Sequence, residues 1–162
     1  MATGMDRIEL TTATLFEALQ RLAGIIRADM ARIDRDGGVP TERQLNAIRN
    51  QIVEFQSLMA VLDRALSLTR EGGAFVREIV GGMSAKLLAR ALAYEAAHVA
   101  KLEAQDTLPL FGAVIFARDL RQLDRLAEQV PGRPADLEAQ VVAARNTLQT
   151  LIRRCPEISD FG

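Results

Sequence analysis

The chain has 162 residues, a formal net charge of −1, and 49% hydrophobic against 25% charged residues. That length and balance suit one globular domain with a substantial core and exclude both a disordered chain and a nucleic-acid binder working through bulk positive charge. Cys155 is the only cysteine, which excludes an intrachain disulfide, and no run of about 18 apolar residues exists to span a membrane. The start, Met1 to Leu10, carries acidic residues and no apolar stretch, so it does not read as a signal peptide, and a cytoplasmic location is expected. Lysine occurs only at Lys86 and Lys101 and the other basic residues are arginine, a bias that a GC-rich genome explains. Tryptophan is absent and aromatics make up 4%, which leaves little surface on which nucleobases could stack.

Taken in chain order, the apolar side chains recur every three or four positions, the rhythm of one helical face. A first helix is expected from about Thr14 to Ile33, with seam Leu15, Leu19, Leu22, Ile26, Met30 and Ile33 and a capping box of Thr14 with Glu17. Asp36 to Pro40 breaks the pattern. A second helix starts at Thr41, capped through Gln44, and continues to about Arg70 with seam Leu45, Ile48, Ile52, Phe55, Met59, Leu62 and Leu66. Such a helix is roughly 43 Å long. Its shorter neighbours would leave part of the seam to a second subunit, so a homodimer is expected.

The pairs Gly72-Gly73 and Gly81-Gly82 bracket a short apolar piece. Paired glycines weaken a helix, so this piece reads as a connector plugging one end of the bundle, or as a lid or docking segment. A third helix is expected from about Ser84 to Ala104. A fourth runs from near Thr107 to before Pro131, with its opening, Leu108 to Phe116, apolar all round and therefore buried on every side. A fifth starts with Pro134 as its first helical residue, has seam Leu137, Val141, Ala144, Leu148, Leu151 and Cys155, and stops at Pro156. Short links favour antiparallel neighbours. The expected fold is all-α, an antiparallel bundle of four to five helices with short connections, forming a single domain over 1–162 with loose termini at 1–12 and 156–162.

One place breaks the bundle logic. On the third helix Glu95 falls within about 40° of the stripe formed by Leu88, Leu92, Val99 and Leu102, with His98, the only histidine, one turn further along. Lys86, Arg90 and Lys101 point away, toward solvent. A buried carboxylate needs a partner, so Glu95 is expected to bond His98 or an arginine from another helix and to fix register.

Two resemblances give these residues chemistry. Glu95-x-x-His98 resembles the Glu-x-x-His motif of ferritin-like di-iron bundles, which implies iron or manganese held by Glu95 and His98. The second histidine of that recipe is absent, so the site would be shared between subunits, with Asp29 on the first helix as the best further ligand. His98-Val99-Ala100-Lys101 resembles the H-x-L-K-G motif of histidine-phosphotransfer domains, which implies a phosphate relay through His98 with Lys101 neutralising the phosphoryl group. Ala100 stands where that motif has leucine and Leu102 where it has glycine.

Other signals are weaker. Arg118, Arg121 and Arg125 form one basic row on the fourth helix, with Asp119, Asp124 and Glu128 interspersed, which reads as a solvated face. Cys155 ends a seam and reads as a small core residue. No confident catalytic residue, cofactor site or phosphate loop is present. The reading is a non-enzymatic helical protein-interaction module (adaptor, chaperone-like or regulatory subunit) whose partner is another protein, with no nucleic acid and no membrane.

Overall fold

The structure is a computed structural model that describes residues 4–69, 73–105 and 107–156. It contains five helices: α1 (Gly4–Arg35), α2 (Glu42–Leu66), α3 (Ala74–Leu102), α4 (Gly112–Glu128) and α5 (Ala135–Arg154). No strand occurs among the described residues, so the all-α expectation holds. No helix is long and apolar enough to cross a membrane among those residues. Packing groups the chain into two compact units, Met1–Arg32 with Asn46–Leu87, and Ile33–Leu45 with Leu88–Gly162.

In the first unit, Leu19, Leu22, Ala23, Ile26 and Met30 of α1 are buried, as are Ile48, Ile52, Phe55, Leu62 and Leu66 of α2. Each such side chain withdrawn from water contributes about 1.5–3 kcal/mol. The first half of α3 runs antiparallel to α2: Arg77 Nε donates to Asp63 Oδ1 at 2.7 Å, and Val80 and Gly81 line a cleft together with Met59 and Gln56. Gly73 makes the turn into α3 at φ +65°; a Cβ there would stand 2.6 Å from Leu66 Cδ2. Both the left-handed backbone and the contact demand glycine.

Several boundaries differ from expectation. α1 begins ten residues before Thr14, which is interior and whose hydroxyl donates to Leu10 O at 2.9 Å, so the Thr14–Glu17 capping box is not the helix start. α2 ends at Leu66 with 25 residues, while α1 has 32 and α3 has 29. α2 therefore does not outrun its neighbours as expected, and its length gives no reason for a second subunit along its seam. α3 passes straight through Gly81-Gly82, so residues 74–82 are helix rather than connector or lid. Each interior glycine costs roughly 1 kcal/mol relative to alanine. Val80 before the pair and Leu87 and Leu88 after it are buried, and that burial keeps the helix continuous. Gly72 and residues 157–162 lie outside the described residues.

In the second unit the expected capping box of α2 is present. The Thr41 amide donates to Gln44 Oε1 at 2.9 Å and the Gln44 amide to Thr41 Oγ1 at 3.1 Å. α4 and α5 form an antiparallel hairpin turned at Gly132 (φ +68°). Arg133 closes the end of α4: its Nη1 donates to Ala127 O at 2.6 Å and Val130 O at 3.1 Å, carbonyls that have lost their helical partners. Its Nε donates to Glu138 in the first turn of α5 at 2.6 Å. Pro134 is the N-cap of α5, one position before the expected first helical place.

Of the three–four seam of the fourth helix (Ala113, Phe116, Leu120, Leu123, Ala127, Val130), Phe116, Leu123, Ala127 and Val130 are buried and Ala113 and Leu120 half-buried; of the fifth helix's seam, Leu137, Val141, Ala144, Leu148 and Leu151 are buried. At the far end of the hairpin the start of α4 meets the end of α5, because a Cβ on Gly112 would stand 2.8 Å from Cys155 Sγ. Cys155 is half-buried there, packed against that glycine.

Candidate functional site

The second half of α3 is rich in alanine, with leucine at Leu88, Leu92 and Leu102, both strong helix formers, and Glu95 sits among them. Glu95 is 2% exposed, as the stripe predicts. Neither Glu95 nor His98 is without a polar or ring partner, as a buried charge requires. His98 is half-buried and Lys101 is exposed. Asp29 belongs to the other compact unit, where its Oδ2 accepts Gln51 Nε2 at 2.8 Å and its Oδ1 lies 3.6 Å from Arg32 Nη1. Among the described residues no three His, Cys, Asp or Glu side chains gather in a way that could hold a metal ion.

Arg90 does not point into solvent as expected. Its Nη2 donates to Asp34 Oδ2 at 2.9 Å and to the Tyr94 hydroxyl at 3.3 Å, while that hydroxyl donates to Asp34 Oδ1 at 2.6 Å. Burial of Tyr94 raises its pKa above 10.0, and the hydrogen bond to Asp34 raises it further, with Arg90 acting in the opposite sense. A phenol held protonated between a carboxylate and a guanidinium ties the last residues of α1 to α3 within this unit. Sequence reasoning missed it because Asp34 and Tyr94 are 60 residues apart.

The largest departure is at the start of α4. Leu110, Phe111 and Val114 are 72%, 65% and 59% exposed, so the stretch expected to be buried on every side presents an apolar cluster to solvent. The helical step explains it. At 100° per residue, Phe111, Val114, Arg118, Arg121 and Arg125 share an arc of about 80° centred opposite the buried Phe116. A face that carries three arginines cannot be a buried one, and that signal was present in the sequence.

Among the described residues, the acids interspersed along this helix meet the row only at Arg118. Asp119 is 4% exposed and turned inward; Arg118 Nη2 only reaches 4.0 Å from its Oδ1. Asp124 accepts Arg145 of α5 at 2.6 Å. Arg121 and Arg125 pair with no carboxylate among the described residues. Glu128, at the end of the helix, remains exposed.

Besides a cleft of about 240 Å³ lined mainly by Glu103, Asn146, Thr147, Thr150 and Arg154, two others are mainly apolar. One of about 350 Å³ in the first unit holds Asp63 and Arg77, which satisfy each other. One of about 290 Å³ between α3 and α5 is lined mainly by Ala96, Ala97, Ala100, Ala143 and Ala144, with Glu103 its sole titratable group. Neither sets a nucleophile beside a base. Comparison with known proteins finds no matching family model, no similar curated protein and no similar solved structure.

Proposed function

We propose that this chain is a non-enzymatic helical interaction module, an adaptor, chaperone-like protein or regulatory subunit, that engages another protein through the start of α4. One observation carries this reading: Leu110, Phe111 and Val114 put three large apolar side chains into solvent within five residues. Single exposed apolar residues are ordinary on any surface, whereas a contiguous exposed cluster marks a place where something docks. Phe75, at 74% the most exposed large apolar residue described, and Leu10, Leu68 and Val53 are also open to solvent, but each stands singly along the chain.

The test is a photo-crosslinking amino acid placed at position 114 in the native host, with position 142 as the control. Discrete protein adducts at 114 and none at 142 are expected. Equal, diffuse labelling at both positions would remove the reading.

A further inference from the structure

We infer that the outward face of α4 recognises an acidic amphipathic helix of a partner protein, apolar at one end and carboxylate-bearing along the rest. This rests on the interaction reading and names its partner's chemistry. The face is ordered lengthwise. Leu110, Phe111 and Val114 occupy its beginning, and Arg118, Arg121 and Arg125 continue the same arc for roughly 16 Å beyond Val114. Steps of three and four residues keep Val114, Arg118, Arg121 and Arg125 on one side of α4, with Phe111 at its N-cap and Leu110 just before it, the spacing at which a second helix lying alongside presents its own facing residues.

The fold itself leaves the arginines available. Of the three nearby acids, Asp119 is turned into the core and Asp124 is taken by Arg145. Arg121 and Arg125 therefore have no ion-pair partner among the described residues, Arg118 has only its 4.0 Å contact with Asp119, and Glu128 is exposed at the end of the row. Guanidinium groups bind carboxylates bidentately, and glutamates repeated at helical spacing would meet them in register.

The same layout argues against other partners. A helix that lies in a membrane surface carries an apolar stripe along its length with basic residues flanking it, whereas here the apolar part is confined to one end. Nucleic acid would meet an acidic protein with few aromatics.

The experiment is selection from a random library of 20-residue displayed peptides on the intact chain, followed by fluorescence anisotropy with the enriched peptides. Enrichment of sequences with Leu or Phe at one end and Glu or Asp at three- and four-residue steps is expected. Their affinity should fall about tenfold or more with Arg118→Glu, Arg121→Glu and Arg125→Glu combined, and should also fall as salt is raised from 0.05 to 0.5 M. The same variant must keep its helical circular-dichroism spectrum, and Arg118→Lys, Arg121→Lys and Arg125→Lys combined should retain part of the binding.

Enriched peptides that are neutral or basic, or that bind the glutamate variant equally well, would overturn the inference. So would tighter, arginine-dependent binding to phosphatidylserine vesicles or single-stranded RNA, or arginine-dependent self-association. If Phe111→Asp abolishes crosslinking at 114 while the arginine variant changes nothing, the interaction reading survives and this inference falls.

Discussion

Within the second unit, the second half of α3 and α4 carry charge in opposite ways. On α3, Glu95 lies among leucines and alanines and is held by neighbours within the protein. On α4, the acids Asp119 and Asp124 are turned inward or paired, while Arg121 and Arg125 face water with no carboxylate within ion-pair distance among the described residues. An interior charge has to be settled by the fold, because leaving it unpaired costs several kcal/mol. An exterior charge is already solvated and contributes little to folding, so it is free to serve a partner. The comparison separates residues that hold the fold from residues that meet something else.

The sharpest way to break it is to remove each kind of charge in turn. Glu95→Ala is expected to lower unfolding free energy by about 3 kcal/mol, since it strands whatever buried group now bonds the carboxylate and leaves a void. Glu95→Met, which fills the space without a charge, should recover most of that loss. Urea denaturation followed by circular dichroism reads both. If Glu95→Ala is neutral, the stripe is not the constraint described.

Tyr94→Phe tests a weaker internal tie and should cost about 1 kcal/mol, the net value of an ordinary hydrogen bond. Tyr94 is the chain's only tyrosine and tryptophan is absent, so absorbance near 295 nm titrates this phenol alone. Its midpoint should lie above 10.0, and Asp34→Asn should bring it down. The sign for stability follows from the raised value. The protonated phenol is favoured by the folded state, so its contribution is complete below the ordinary pKa and is lost as pH climbs through the raised one. Tyr94→Phe should lack that alkaline loss.

Arg145→Ala removes a half-exposed pair with Asp124 and should cost about 0.5 kcal/mol. Arg121→Ala, at the outer edge of the comparison, should change stability by less than about 0.5 kcal/mol. A larger loss there would mean that the arginine row holds the fold after all.

Much of the architecture could be read from the chain, because the seams of buried residues state their own period. Ile26, Ile52, Leu123 and Leu148 all fall where the three–four step places them. The capping box at Thr41 was equally legible, since its geometry is local. The errors arose where a local signal was outweighed by packing or by context along the helix. Gly81-Gly82 reads as a break, yet buried apolar residues on both sides hold α3 together. Thr14 reads as a cap, yet helical chain precedes it. Leu108 to Phe116 was judged by composition when the face shared with Arg118 already decided its exposure. The Asp34–Arg90–Tyr94 cluster left no trace, because nothing in a sequence announces a contact between residues so far apart.

The account stands on α4's outer face serving binding and not folding. The most direct measurement takes one preparation of Phe111→Asp, Val114→Asp and reads its urea midpoint and its binding to the selected acidic peptides. The account predicts an unchanged midpoint with binding reduced at least tenfold. A lowered midpoint with binding per folded molecule intact would contradict it.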